Sequence, residues 1–202
     1  CRFSPAPLLV LSTSAMNGVA VSWRTARLTW EDVDLLRPGH WLNDSVLGFW
    51  QEFLSSAPPP EGFAGREELL FVDPAAACCI SSETDPEDLH DMLDPLELSK
   101  RSLVLVPVSD RTDRGSGSGS HWSLLALRAE PRQAEYYDSL GTGNLASATR
   151  IAENMSTMFP GLSTVRVCEA GKQDNGHDCG VFVALFAEAL CRGSSPAAVT
   201  PA

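Results

Sequence analysis

Cys179 follows the polar run Gln173-Asp174-Asn175-Gly176-His177-Asp178 and precedes Gly180 and an apolar stretch over residues 181–191. This pattern predicts a turn that delivers a thiol to the first turn of a buried helix. There the sulfur meets unpaired backbone N–H groups and the positive end of the helix dipole, and both favour the nucleophilic thiolate. The bland alternative is that Cys179 is a small buried residue, as free cysteines commonly are. Which reading holds depends on whether a base and an orienting acid reach the sulfur.

Two strands supply candidates. Residues 121–128 and 133–138 both read as strands, separated by Ala129-Glu130-Pro131-Arg132. If they form an antiparallel hairpin about a turn near residues 129–130, His121 lies opposite Asp138. Directly opposed side chains stand about 4.5–5.5 Å apart at Cβ, close enough for a carboxylate to orient an imidazole. The chemistry would be that of a Cys-His-Asp relay: His121 shares the thiol proton and later protonates the leaving amine, while Asp138 orients the ring and stabilises its charge. The Cys179 backbone N–H and the Gln173 side-chain amide are candidate donors to a tetrahedral oxyanion, and loss of one such donor costs about 3 kcal/mol. Taken singly, His121 also reads as an edge histidine and Asp138 as a turn former. His177 is a rival base two residues from Cys179, with only Asp178 to orient it. Glu83, His90, Cys78 and Cys79 show no converging ligand spacing, so no metal or cofactor is expected.

The positioning elements read as follows. Thr29-Trp30-Glu31-Asp32 has a capping-box pattern for a short helix over 30–36. Val46, Leu47, Phe49, Trp50, Phe53 and Leu54 recur at helical spacing, up to a stop at Ala57-Pro58-Pro59-Pro60. Residues 69–72 are ambiguous between strand and helix end. Asp85-Pro86 predicts an N-cap and N1 proline for a helix to about residue 93. Residues 102–108 read as a strand covered on both faces. Asn144 is placed to cap a helix to about residue 159, and residues 164–168 read as a fourth strand. The glycine- and serine-rich stretch within 110–120 reads as a mobile loop, and residues 193–202 as a frayed tail.

Composition narrows the class. The chain has 202 residues, 44% hydrophobic, enough for one sizeable core. Its formal charge of −11 argues against non-specific nucleic-acid binding and suits a partner with a basic tail. Six scattered cysteines form neither a dense disulfide framework nor a repeated zinc pair, which favours a reducing compartment. The longest apolar run is far short of the roughly 20 residues a bilayer requires. The chain begins with Cys, which is not a natural translation start, whereas Met16 could serve as one, so residues 1–15 read as an upstream or processing remnant and residues 1–27 as a partly disordered extension.

Four motifs together carry a family resemblance: Trp41-Leu42-Asn43-Asp44, His121-Trp122-Ser123-Leu124-Leu125, Tyr137-Asp138-Ser139, and Gln173 followed by Asp178-Cys179-Gly180. In this order and spacing the chain resembles the ubiquitin-like-protein-specific cysteine proteases of the sentrin-protease superfamily, and within it the deneddylase branch. The resemblance implies an α+β fold like that of the adenoviral protease, with a mixed central sheet flanked by helices, in a single catalytic domain over residues 28–192. It implies catalytic His121, Asp138 and Cys179, an oxyanion-hole Gln173, and a substrate site at Trp41, Trp122, Asn43 and Asp44. In that site two indoles clamp a diglycine, since glycine alone is thin enough to pass. The implied activity is thiol-mediated hydrolysis after the diglycine of a modifier, the neddylation one for this branch. The sumoylation modifier, ubiquitin, or a non-cleaving binding module are the alternatives. The implied partners are the modifier and its conjugates, recognised in part by the 110–120 loop, in the cytoplasm or nucleus. The family also continues past the position of Cys191 with helical sequence that this chain does not show.

Overall fold

A computed structural model of the chain describes residues 10–11, 18–56, 68–111, 119–159, 161–162 and 164–200. Along the chain run β1 (Val10–Leu11), β2 (Val19–Trp23), β3 (Ala26–Thr29), α1 (Trp30–Asp34), α2 (Asp44–Ser56), β4 (Leu69–Phe71), α3 (Pro74–Ser82) and α4 (Pro86–Leu93). They are followed by β5 (Leu103–Ser109), β6 (Trp122–Ala129), β7 (Arg132–Tyr137), α5 (Leu145–Met155), β8 (Val165–Val167) and α6 (Cys179–Cys191). Strands β4 to β8 form one sheet in sequence order; the outer pairs β4/β5 and β7/β8 are parallel and the inner pairs antiparallel. The expected α+β architecture with a mixed central sheet is therefore present.

The two-residue period of the strands builds two cores. In β5, Val104, Val106 and Val108 face one side, and Leu103 and Leu105 the other. In β6 and β7 the same division sends Leu125, Leu127, Ala134 and Tyr136 toward Ile80 of α3, Leu93 of α4 and Ile151 of α5. It sends Leu124, Ala126 and Tyr137 toward Val46 and Leu47 of α2 and Phe182, Val183 and Phe186 of α6. Both faces of the central strands are thus dry, as their near-continuous apolar sequence predicts. Full burial of one large apolar side chain contributes roughly 1.5–3 kcal/mol, so each core holds its helices firmly against the sheet.

Local signals explain the helix starts. Thr29 Oγ1 accepts from the Asp32 N–H at 3.2 Å and Asp32 Oδ2 accepts from the Thr29 N–H at 2.8 Å, completing the capping box. Asp85 caps α4 through the Glu87 and Asp88 N–H groups. The ambiguous residues 69–71 are a strand, settled by pairing with β5.

Four expectations require correction. Helix α3 was not foreseen, although Asp73-Pro74 carries the same N-cap and N1-proline signature as Asp85-Pro86. The domain does not begin at residue 28: β2 and β3 form a hairpin whose Ala20, Val21 and Trp23 are buried, and Val21 joins the α6-side core. The segment after α6 does not fray. Residues Pro196–Ala198 form a 3-10 turn, the Gly171 N–H donates to the Pro196 carbonyl at 2.9 Å, and Val199 packs on the core. A side chain at Gly171 would stand only 1.9 Å from the Val199 carbonyl oxygen, so glycine there permits this close seating. Finally, the β6/β7 register turns about Glu130-Pro131, pairing Ala129 with Arg132 and Leu124 with Tyr137. That is two residues from the expected pairing, and an even shift keeps every side chain on its face. The remaining N-terminal residues, the proline stop at 57–60 and positions 112–118 of the loop lie outside the described residues.

Candidate active site

The polar turn before α6 is shaped by Asn175. Its Oδ1 accepts the His177 and Asp178 N–H groups, both at 3.0 Å, and its Nδ2 donates to Asp178 Oδ2 at 2.8 Å. Asp178 occupies the N-cap position, yet its carboxylate is drawn back to Asn175 and makes no capping bond. The first turn of α6 is therefore open to another negative group. Cys179 is its first residue, 3% exposed.

His121 and Asp138 sit just beyond the paired ends of β6 and β7. Although not directly opposite, they meet: His121 Nε2 lies 2.9 Å from Asp138 Oδ1. Diagonal neighbours on one face are within reach of long side chains. Nδ1 of His121 is buried and has no hydrogen-bond partner among the described residues, leaving it as the ring nitrogen available to the sulfur. The thiol is near enough to act on the ring even so. The imidazole pKa is raised to about 9, first by the Asp138 hydrogen bond and next by Cys179, against the opposing effect of burial. Resting catalytic contacts are often longer than those in the reacting complex.

Asp138 is buried, which by itself pushes its carboxyl pKa up. Hydrogen bonds from His121, the Tyr136 hydroxyl and the Leu140 N–H override that and hold it well below the usual carboxylate range. The Leu140 and Gly141 N–H groups reach Oδ1 at 2.8 and 3.1 Å, and the Tyr136 hydroxyl reaches Oδ2 at 2.7 Å. Burial raises the Tyr136 pKa, so it remains a donor. Asn144 does not cap α5 with its side chain, as its position predicted. Its Nδ2 donates instead to the Val108 and His121 carbonyls at 3.0 and 3.1 Å. Tyr136 and Asn144 thus buttress acid and base from the α5 side. Tyr136 escaped the sequence reading although its place two residues from Asp138 puts it on the same face; Asn144 carried no sequence signal apart from a cap.

Gln173 is 9% exposed. Its Nε2 donates to the Asn175 carbonyl at 2.7 Å, and its Oε1 accepts from Ser139 Oγ at 2.5 Å. One Nε2 hydrogen remains, within a residue or two of the turn that ends at Cys179. The rival base His177 has only Asp178, at 3.7 Å, beside its Nε2.

The remaining sequence candidates divide. Trp122 is 8% exposed and its indole N–H donates to the Leu42 carbonyl at 2.9 Å; Trp122, Leu42 and Cys179 share one apolar cluster. Trp41 is 49% exposed, and its indole N–H donates to the Gly176 carbonyl at 2.8 Å, pinning it to the turn before Cys179. Both indoles are thus held by backbone carbonyls. Asn43 is taken up in holding the fold: Oδ1 accepts the Val46 N–H at the start of α2, and Nδ2 donates to Asp32 Oδ1 at 2.7 Å. Asp44 lies 3.7 Å from Arg111 at the near end of the 110–120 loop.

Gly180 brings α6 against this layer. A Cβ there would approach Leu42 Cβ to 2.9 Å, and Leu42 carries the Trp122 contact. Gly180→Ala is expected to cost about 1–3 kcal/mol of stability and to raise KM, as Leu42 and Trp122 give way. Chemical denaturation and steady-state kinetics would check this; unchanged values of both would show that the layer is not tightly packed.

Such a set, a buried thiol at a helix start, an imidazole and an ionised carboxylate, is equipped for nucleophilic attack on a carbonyl. Comparison with known proteins agrees. Residues 94–199 match the family described as the Ulp1 protease family, C-terminal catalytic domain. The chain is 31% identical over 180 residues to sentrin-specific protease 8 of Rattus norvegicus, covering 88% of this chain and 81% of that protein. It is 30% identical over 174 residues to NEDD8-specific protease 1 of Arabidopsis thaliana, covering 85% and 74%. Among solved structures, the SUMO protease Ulp1 with its catalytic cysteine oxidised to a sulfenic acid aligns with a TM-score of 0.68 at 17% identity, covering 89% of this chain and 79% of that one; at that identity it speaks for the fold. With thiol, imidazole and carboxylate gathered on a matching fold, and sequence similarity along most of its length, the chain belongs to the Ulp1 protease family and is a cysteine-type peptidase.

Proposed function

We propose that this peptidase hydrolyses the bond after the C-terminal diglycine of a ubiquitin-like modifier, and that the modifier is the neddylation one. The observation that carries the chemistry is the 2.9 Å contact between His121 Nε2 and Asp138 Oδ1, beside the buried thiol that opens α6. In this reading the Cys179 thiolate attacks the glycine carbonyl carbon, and the carbonyl π electrons move onto oxygen. The oxyanion is met by the Cys179 N–H and the free Nε2 hydrogen of Gln173. Collapse breaks the C–N bond, and the His121 imidazolium gives its proton to the departing amine, a lysine side chain in a conjugate or an α-amine in a precursor. Water then attacks the thioester as His121 takes its proton, and the thiolate leaves, restoring the starting pair. Asp138 keeps the ring oriented throughout.

In this reading Trp41 and Trp122 wall the slot that takes the diglycine, and each has its indole nitrogen committed to a backbone carbonyl. They then offer flat apolar faces, against which a side chain at the last two substrate positions would clash. The choice of the neddylation modifier is supported by the relatives, one of which is named for that specificity. Specificity among modifiers is a difference of affinities, so the test is comparative. Neddylation modifier, sumoylation modifier and ubiquitin, each with a C-terminal fluorogenic group, are hydrolysed in parallel, with Cys179→Ala as the blank. We expect kcat/KM to favour the neddylation modifier by about 100-fold, or about 2.7 kcal/mol. Equal rates, or preference for another modifier, would overturn the specificity; binding without turnover would overturn the peptidase reading of this site.

A further inference from the structure

We infer that Ser139 is a positioning residue that anchors the Gln173 amide with its nitrogen toward the oxyanion, an inference that rests on the hydrolysis proposed above. An amide side chain has two ends of similar shape and opposite hydrogen-bonding character, so a glutamine serves an oxyanion only when its nitrogen points toward it. Here the assignment is made by neighbours. Ser139 Oγ is 2.5 Å from Gln173 Oε1 and donates to it. The Asn175 carbonyl accepts from Nε2 at 2.7 Å. A flipped amide would set its oxygen against the Asn175 carbonyl, two acceptors face to face. The Asn175 carbonyl, which only accepts, therefore opposes the wrong orientation, and the Ser139 hydroxyl, which can donate or accept, anchors the amide in the orientation that Asn175 selects.

Ser139 is well placed to do this. It is 2% exposed, so little water competes for its hydroxyl. Its own carbonyl accepts the Gln173 backbone N–H at 3.2 Å, tying the two residues at main chain as well as side chain. The preceding carbonyl, that of Asp138, accepts from Lys172 Nζ at 2.9 Å. Residues 138–139 thus grip residues 172–173 at three points, and the segment that ends with the carboxylate also fixes the amide. The relay and the oxyanion donor are coupled through one dipeptide. Polar groups in such a buried network lose more than a single bond when one member is removed.

The test compares Ser139→Ala, Gln173→Ala and the double variant. Steady-state hydrolysis of a diglycine-ended fluorogenic modifier is measured with alkylation of Cys179 by iodoacetamide, a displacement at a saturated carbon that generates no oxyanion. We expect Ser139→Ala to lower kcat about tenfold with KM changed less than twofold and alkylation unchanged. Gln173→Ala is expected to lower kcat about 10²–10³-fold, with no further loss in the double variant. Side-chain amide resonances of Gln173, identified by their absence in Gln173→Ala, report the contact without any substrate; Ser139→Ala is expected to shift them. Should Ser139→Ala not fold, Ser139→Cys, a weaker donor of similar size, carries the same comparisons. Unmoved Gln173 resonances, additive losses in the double variant, or a fall in alkylation matching the fall in kcat would each overturn the proposal. Absence of turnover by the unaltered protein would count against the hydrolysis reading alone, because the resonances still judge Ser139.

Discussion

Cys179→Ser is expected to lower kcat/KM on a diglycine substrate by on the order of 10⁴-fold at neutral pH, although the hydroxyl would occupy the same place at the head of α6. The reason lies in His121. Its pKa is raised to about 9 first by Asp138, which this substitution leaves untouched, and next by Cys179, whose contribution the substitution removes. A ring that Asp138 still biases toward its charged form is a poor acceptor for an alcohol's proton. A thiol gives up its proton far more readily than an alcohol, so the same ring suits sulfur. Exchanging sulfur for oxygen therefore weakens the nucleophile at its source. Kinetics paired with a thermal melt check this: a folded serine variant within 100-fold of the parent would mean that the ring works as a neutral base.

Asp138→Asn should give the second-largest loss, on the order of 10²–10³-fold in kcat, smaller than the 10⁴ known for the equivalent change in a serine protease. An asparagine oxygen could still accept from His121, Leu140 and Gly141, so the ring can keep its orientation and the turn its shape. What disappears is the charge. A raised histidine pKa means that the folded protein favours the imidazolium, which is complete below the ordinary value of 6.5 and lost as pH rises through about 9. The alkaline limb of kcat/KM should fall near that upper value in the parent. With Asp138 neutralised, the foremost support of the charge is gone, and the limb should move to lower pH. Rate profiles between pH 5 and 10 decide it, and an unmoved limb would show that another group governs the alkaline side.

Much of this site could be read from the chain because its signals are local or periodic. The apolar alternation of β5 to β7 comes from strands buried on both sides. The thiol at the start of an apolar run and the Thr29–Asp32 box are likewise short-range patterns. What escaped depended on partners distant in sequence. Register is decided by the turn, and placing it at Glu130-Pro131 moves Asp138 to the diagonal of His121. Asn144 looked like a cap because caps and buttresses use the same amide, and only the fold brings the Val108 carbonyl within 3.0 Å. Helix α3 was overlooked for a different reason: Ala75, Ala76 and Ala77 give little amphipathic contrast, so the Asp73-Pro74 start stood alone. The tail reads as loose because its residues are small and proline-containing, yet the absence of a side chain at Gly171 lets Pro196 and Val199 seat against the domain.

The double-sided sheet has a practical corollary. Every group assigned to bond cleavage lies between His121 and Cys179, while β5, α2 and α3, which complete the two cores on either face of the sheet, lie before residue 111. Cutting the chain within 112–118 would leave all the reactive groups on one piece and much of their scaffolding on the other. Each half would expose the core surfaces that the other now covers, so neither is complete without its complement.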